Sequence, residues 1–283
     1  MPQTVVHRLF LLFLLSLACS LAWAGAPSQA QGWDKVPGPA VGTTASIGVP
    51  TAGCLAGAGH LAADGPGWQV MRLGRNRAWG HPDLVAYIQT LAARGALEGL
   101  PPLLVGDMSQ PRGGPMPSGH RSHQTGLDVD LMFEAAPENG FDAAQREAFQ
   151  PRTTLKAGGE VDPGRFGHQQ EQWLRLAAES PGVDRIFVNY RLKKLLCGAP
   201  AASRAWLHKI RPWNGHDEHF HVRLACPGAS GDCLASGATI PDGDGCGREL
   251  DSWFEPPGKP PAKPPTPIRP SLPRACASIL AAP

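Results

Sequence analysis

Two short segments of this sequence concentrate the residue types that bind metal ions and transfer protons. The first spans residues 118–131 and the second spans residues 216–221. Together they contain five of the ten histidines and three aspartates, although only 18% of the residues in the chain are charged. Imidazole and carboxylate groups placed together hold metal ions or act as acids and bases. The two segments therefore predict a chemical site.

Each segment alternates polar and apolar residues in the way that is typical of a β-strand. Side chains on a strand point to opposite faces in turn, so Asp128 and Asp130 share one face of the first strand. By the same rule, His219 and His221 share one face of the second strand. If the two strands pair in one sheet, we expect His123, Asp130 and His221 to converge on one point.

The converging residues have the chemistry of a zinc site. Two imidazoles and one carboxylate are the usual protein ligands of a catalytic zinc ion, which keeps a fourth position open for water. We therefore predict that Zn²⁺ is bound by His123, Asp130 and His221. His120 is a candidate for a further ligand or for a neighbour that hydrogen-bonds to a ligand. Asp128 is a candidate for a hydrogen bond within its own loop.

Two further histidines have the chemistry of a proton carrier. Zinc lowers the pKa of bound water to about 7, and a nearby group must then accept and return a proton. An imidazole suits this task because it titrates near neutral pH. His219, which precedes a predicted ligand on the same strand, and His216 are therefore the predicted catalytic residues. The sequence leaves open which of the two carries the proton.

Three longer strings resemble a known family. Residues 118–130 read SGHRSHQTGLDVD, residues 211–216 read RPWNGH, and residues 243–257 read GDGCGRELDSWFEPP. They resemble the penicillin-insensitive murein endopeptidases of Gram-negative bacteria, which are grouped with the lysostaphin-type, D-Ala-D-Ala carboxypeptidase and hedgehog-like zinc peptidases. The resemblance covers nearly the whole chain after the N-terminal leader.

The resemblance implies both an activity and a set of site residues. The implied activity is hydrolysis of the D-alanyl to meso-diaminopimelyl cross-link, with peptidoglycan as the partner and with insensitivity to β-lactams. The implied zinc ligands are the equivalents of His123, Asp130 and His221. The resemblance also implies that His120 lies beside the ligands and that His216 and His219 complete the catalytic site.

The sequence departs from the family at a second metal position. The family can hold a second, weaker metal ion in the segment that here spans residues 156–162. In that segment only Glu160 and Asp162 offer oxygen ligands, and the next histidine is His168. We therefore expect one zinc ion per chain.

The N-terminus has the pattern of a secretory signal peptide, which we assign to residues 1–24. Basic residues precede the apolar run Leu9–Leu15, and Ala22 and Ala24 form a small-x-small cleavage site. No other apolar stretch approaches the roughly 20 residues that a membrane-spanning helix needs. We therefore predict export to the periplasm without stable membrane insertion.

Six cysteines follow the predicted signal peptide: Cys54, Cys197, Cys226, Cys233, Cys246 and Cys276. An even number of cysteines in an exported chain predicts three disulfides, but spacing alone leaves the pairing open. The resemblance implies the pairs Cys54–Cys276, Cys197–Cys246 and Cys226–Cys233.

The distribution of periodic segments predicts an α+β fold in a single domain. We expect a central antiparallel sheet that carries the zinc site, with helices and long disulfide-tied loops around it. Residues 25–255 are assigned to the zinc peptidase domain. Residues 256–283 are assigned to a Pro-rich tail that Cys276 ties back to the domain.

Charge and composition leave two alternative functions open. The net charge is only +2 and the basic residues are scattered, which argues against nucleic-acid binding. One alternative is a D,D-carboxypeptidase or dipeptidase on the same zinc scaffold, and the other is a non-catalytic cell-wall-binding protein. The sequence leaves the oligomeric state open.

Overall fold

The computed structural model describes residues 31–117, 119–235, 239–256 and 271–283. The predicted signal peptide and most of the predicted Pro-rich tail lie outside these ranges. The domain boundaries therefore stay predictions.

A seven-stranded sheet forms the centre of the fold. The strands in the described residues are β1 (Ala45–Val49), β2 (Ala52–Ala56), β3 (Gly59–His60), β4 (Asp64–Gly65), β5 (Trp68–Val70), β6 (Trp79–Gly80), β7 (Leu103–Val105), β8 (Asp128–Met132), β9 (Val183–Asn189), β10 (Ile210–Trp213) and β11 (His219–Leu224). The order in the large sheet is β10-β9-β11-β8-β7-β5-β4. The other strands form two pairs, β1-β2 and β3-β6.

The helices are α1 (Pro82–Leu97), α2 (Ala143–Glu147), α3 (His168–Glu179), α4 (Tyr190–Leu196), α5 (Arg248–Asp251) and α6 (Ala275–Ala281). Short 3-10 helices span Trp33–Lys35, Leu73–Arg75, Ala201–Ser203, Ala205–Lys209 and Ser252–Phe254. Helices and a sheet in one described unit agree with the predicted α+β class.

The middle of the large sheet is antiparallel, as predicted. Strand β11 lies between β8 and β9 and runs antiparallel to both, and β7 runs antiparallel to β8. Nearer the edges, β9 pairs with β10 and β5 pairs with β7 in parallel, so the sheet as a whole is mixed. The parallel pairs arise because α4 and α1 cross over between their strands and return the chain to the same end of the sheet.

The main core lies where α1 and α3 pack on the central strands. Leu84, Ile88 and Leu91 recur along α1 at helical spacing and are fully buried. They share one apolar cluster with Trp173 of α3 and Val129 of β8. This packing supports the sheet from the side that carries the apolar residues of β8, and it leaves Asp128 and Asp130 to the opposite side.

The last described residues are fastened to the β1-β2 hairpin. Cys276 in α6 is disulfide-bonded to Cys54 in β2. The buried Arg112 donates hydrogen bonds to four carbonyl oxygens between Ile279 and Pro283. The guanidinium thereby supplies the donors that carbonyl groups at the end of a helix require.

Two further disulfides close the long loops. Cys197 is bonded to Cys246, and Cys226 is bonded to Cys233. With Cys54–Cys276 these are the three pairs that the resemblance implied.

Helices α1 and α3 pack so closely at Gly95 that a Cβ atom there would overlap the ring of the buried Trp173. Alanine favours a helix by up to about 1 kcal/mol over glycine, but overpacking a core costs about 1–3 kcal/mol. We therefore expect Gly95→Ala to lower the free energy of unfolding, measured by urea denaturation. Gly158→Ala adds its methyl group in open space and serves as the control. Equal or greater stability of Gly95→Ala would contradict this packing.

Candidate metal centre

Strands β8 and β11 place two of the predicted ligands side by side. They pair with Asp130 directly opposite His221 and with Asp128 opposite Arg223. Side chains in such facing positions are in contact. Accordingly, Asp130 Oδ1 lies 3.1 Å from His221 Nδ1. The strand pairing on which the predicted site depends is therefore present.

The loop before β8 brings His123 to the same point. Its backbone is left-handed with φ of 66°, which is uncommon for a residue other than glycine, and its N–H donates to Asp128 Oδ2 at 3.0 Å. The ring Nδ1 lies 2.7 Å from the carbonyl oxygen of Met108. Because a carbonyl only accepts, Nδ1 carries the proton of the neutral ring and Nε2 keeps a free lone pair. Nε2 lies 3.4 Å from Asp130 Oδ1.

Nitrogens of four histidines surround the Asp130 carboxylate. His123 Nε2 and His219 Nε2 lie 3.4 and 3.5 Å from Oδ1. His221 Nδ1 approaches the same oxygen, and His120 Nδ1 lies 3.6 Å from Oδ2. Among the described residues, the buried atoms His123 Nε2 and Asp130 Oδ1 find no hydrogen-bond partner. Ligand atoms of His120, His123 and Asp130 all lie within 4.8 Å of one another. The cluster could therefore hold a cation between its members.

The two carboxylates of β8 are ionised. Burial by itself raises the pKa of Asp130, but the nearby His219 and His123 outweigh burial and hold this pKa well below its usual value. For Asp128, burial also raises the pKa, but Arg223, His221 and His123 together outweigh burial and hold this pKa below its usual value. Both groups are therefore negatively charged at neutral pH, as a cation site requires.

Asp128 orients one histidine of the cluster. Its Oδ1 lies 2.9 Å from His221 Nε2 and accepts a hydrogen bond from Arg223 Nε at 2.6 Å. Because Nε2 is engaged, His221 turns Nδ1 towards Asp130. A carboxylate behind a metal-binding histidine fixes the tautomer and the ring orientation in this way. Asp128 also accepts a hydrogen bond from the N–H of His123, so it makes the loop hydrogen bond that the sequence predicted.

A second carboxylate, Asp107, orients His120. Its Oδ2 lies 2.7 Å from His120 Nε2 and 2.9 Å from nitrogens of both Arg75 and Arg77. Burial raises the pKa of Asp107, but the hydrogen bond from His120 and the two arginine charges hold the pKa below its usual value. No sequence pattern predicted that Asp107 belongs to the site. The one feature of the sequence that could have indicated Asp107 is its position just after the buried strand β7.

The two predicted proton carriers border the cluster. His219 is one-fifth exposed, so its ring contacts both the cluster and solvent. The His216 ring centroid lies 5.2 Å from that of His219 and 5.7 Å from that of His221. Burial and the neighbouring His221 lower the pKa of His216 to about 4. The imidazole of His216 is therefore neutral at neutral pH.

Residues outside the cluster hold the turn that carries His216. The backbone N–H and the hydroxyl of Thr154 both donate to the Asp217 carbonyl oxygen at 2.7 Å. On the other side, Asn189 donates through its backbone to the His216 carbonyl oxygen at 2.8 Å and through its side chain to that of Gly215 at 3.0 Å. These hydrogen bonds fix the position of the turn relative to β9. None of these supporting residues was predicted.

The segment that corresponds to a second metal position forms a separate small turn. Leu155 forms a β-bridge with Val161, and Asp162 Oδ1 accepts a hydrogen bond from the Gly164 N–H at 3.0 Å. In the part of the chain that the structure describes, Glu160 and Asp162 belong to no group of three or more metal-binding side chains. The single ion stays a prediction.

The fold and the centre together define a class of protein. A central sheet carries a histidine and aspartate cluster that can hold a metal ion, with further histidines beside it, which is an arrangement typical of metal-dependent hydrolases. A profile of the family described as penicillin-insensitive murein endopeptidase matches residues 46–281. The chain belongs to this family.

Individual relatives agree with this membership. A protein named penicillin-insensitive murein endopeptidase from Klebsiella pneumoniae is 44% identical over 284 residues, which cover 99% of this chain and 98% of the relative. A protein of the same name from Haemophilus influenzae is 42% identical over 245 residues, which cover 83% of this chain and 85% of the relative. A third protein of this name, from Yersinia pestis, is 43% identical over 249 residues, which cover 88% of this chain and 90% of the relative.

If Asp128 orients His221 for metal binding, Asp128→Asn will weaken that binding. We expect the affinity for Zn²⁺, measured by competition with a chromogenic chelator, to fall by about 10- to 100-fold, as is typical for such outer partners. Asp64→Asn, which breaks an ion pair with Arg146 on the surface, is the control and should bind as the wild type does. Thermal unfolding checks that both variants are folded. Unchanged affinity of folded Asp128→Asn would contradict the role.

Proposed function

We propose that this protein is a zinc metallo-endopeptidase that hydrolyses D-alanyl to meso-diaminopimelyl cross-links in peptidoglycan. The observation that carries the proposal is the convergence of His123, Asp130 and His221 on one point, in a chain that belongs to the penicillin-insensitive murein endopeptidase family. The relatives' names support the substrate class. The cluster supports a metal-dependent reaction.

The donor set fits zinc. Two imidazole nitrogens and a carboxylate oxygen are ligands that suit Zn²⁺ and leave one position open. His123 Nε2 and His221 Nδ1 face Asp130, because Met108 and Asp128 occupy the other ring nitrogens. His120 is a fourth candidate ligand. Zinc in such a site supplies Lewis acidity and lowers the pKa of water at its open position to about 7.

The residues of the chain supply the proton transfers. His219 lies beside Asp130 and reaches solvent, which supports a role in accepting a proton from the attacking water and passing it to the leaving amine. His216, neutral and next to His219, is the other candidate for this role. Because water attacks directly, no acyl-enzyme on a serine is needed. Insensitivity to β-lactams follows, since these compounds acylate a nucleophilic serine.

The proposed place of action is the periplasm. Three disulfides are typical of an exported protein. None of the helices in the described residues combines the length and the apolar character needed to cross a membrane. The predicted signal peptide over residues 1–24 completes the proposal, with peptidoglycan as the partner.

Digestion of purified cross-linked muropeptide dimers tests the proposed reaction. We expect the mature protein to convert dimers to monomers, to lose this activity with a zinc chelator, and to retain it with penicillin. Chromatography of the products distinguishes the cross-link from terminal residues. Release of terminal D-alanine with intact dimers would instead indicate the carboxypeptidase alternative. Intact substrates with zinc bound would favour the wall-binding alternative.

Two histidine substitutions separate the ligand role from the proton-transfer role. We expect His221→Ala to lose both zinc, measured by mass spectrometry of the purified protein, and nearly all turnover. His219→Ala should keep zinc and lose turnover by about 10²- to 10⁴-fold, the usual contribution of acid-base catalysis. The exposed His168→Ala is the control. Full activity of His221→Ala would refute its assignment as a ligand, and loss of zinc from His219→Ala would make His219 a ligand.

A further inference from the structure

A continuous strip of aromatic side chains leads from the metal centre to the surface. The aromatic strip consists of Phe187, Trp213, Trp253, Tyr190 and Phe254, in order of contact. The ring centroids of Phe187 and Trp213 are 5.3 Å apart, and those of Trp213 and Trp253 are 6.0 Å apart. Tyr190 stacks on Trp253 at 6.0 Å and contacts Phe254 at 5.0 Å. The five rings therefore form one connected surface element.

The strip begins at the wall of the metal centre. Phe187 on β9 is the direct neighbour of His221 on β11, and their ring centroids are 5.4 Å apart. Phe187 also lies 6.1 Å from the ring of His216. A molecule that is bound at the centre and extends past His216 will therefore meet the strip next.

The outer part of the strip exposes large aromatic side chains to solvent, where their burial adds nothing to the stability of the fold. Trp213 is 50% exposed and Phe254 is 44% exposed. Exposed apolar area forgoes about 25 cal/mol per Å² of stabilisation, and a contiguous exposed patch marks a binding surface. The stacking of Trp253 on Tyr190 fastens the 3-10 helix Ser252–Phe254 to α4, but it leaves Trp213 and Phe254 open to solvent. A binding role accounts for these exposed rings.

The rim of the strip is polar. The guanidinium carbon of Arg191 lies 5.4 Å from the centre of the Tyr190 ring, and Lys194 Nζ lies 6.0 Å from that of the Phe254 ring. Lys194 also pairs with Asp251 at 3.1 Å. Apolar ring surface with hydrogen-bonding groups along its edge fits a ligand that is amphipathic in the same way.

We propose that the aromatic strip binds the sugars of the peptidoglycan glycan strand. This inference rests on the proposed function, because peptidoglycan contains two chemical parts and the peptide cross-link occupies the metal centre. The surface that continues from the centre then meets the other part, a chain of N-acetylated hexopyranoses. A pyranose ring has apolar C–H faces that stack on aromatic rings, and its hydroxyl and acetamido groups hydrogen-bond to a polar rim.

Glycan strands from which the stem peptides have been removed test this binding directly. The probe is peptide-free glycan prepared from purified peptidoglycan, and binding is measured by calorimetry with the full mature protein. We expect Trp213→Ala to weaken binding by about tenfold or more, as truncation of a central tryptophan anchor does, and Trp213→Phe to retain most of it. Leu97→Ala removes an exposed apolar side chain outside the strip and should bind as the wild type does.

The outcomes separate this inference from the proposed function. No binding of peptide-free glycan by the wild type, or equal binding by folded Trp213→Ala, would overturn the inference. Binding of isolated stem peptides alone, or concentration-dependent dimerisation that Trp213→Ala abolishes, would also overturn it by identifying another occupant. Thermal unfolding checks that each variant is folded. If glycan binding fails while muropeptide dimers are still cut, the endopeptidase proposal stands without it.

Discussion

The centre of this structure depends on one buried negative charge, that of the Asp130 carboxylate. Asp130 lies within 3.6 Å of nitrogens from four histidines, yet its Oδ1 finds no hydrogen-bond partner in the described part of the chain. A buried carboxylate is costly unless a positive charge or donors compensate it. The ring N–H of His123 already donates a hydrogen bond to the Met108 carbonyl oxygen. A cation held between the carboxylate and the histidines would satisfy all of these atoms at once.

Of the three carboxylates of the centre, Asp107, Asp128 and Asp130, the surrounding charges leave only Asp130 available to bind a cation. Asp107 pairs with two arginines, and Asp128 pairs with Arg223. In the described part of the chain, the ion-pair partners of Asp130 are histidines. The arginine-paired carboxylates orient His120 and His221, whereas Asp130, whose described partners are all histidines, faces the space between the rings. The fold thus separates carboxylates that hold ligands in place from the carboxylate that is itself available to a metal ion.

The inner part of the site was predictable because alternation along a strand is a local property. Asp128 and Asp130 share a face by sequence alone, and the pairing of β8 with β11 needed only one assumption. The supporting residues were not predictable in this way. Arg77 and Asp107 come from distant segments with no motif of their own, and the aromatic strip forms only when β9 and β10 pair and the 3-10 helix Ser252–Phe254 packs on α4. The parallel pairs of the sheet likewise depend on crossovers rather than on residue patterns.

X-ray diffraction on both sides of the zinc absorption edge, from crystals of the mature protein grown with Zn²⁺, is the most direct test of the metal centre. The predicted result is one strong anomalous peak at about 2.0–2.2 Å from His123 Nε2, an oxygen of Asp130 and His221 Nδ1. Absence of a peak between these atoms, or a single peak elsewhere such as beside Glu160, would contradict the assignment.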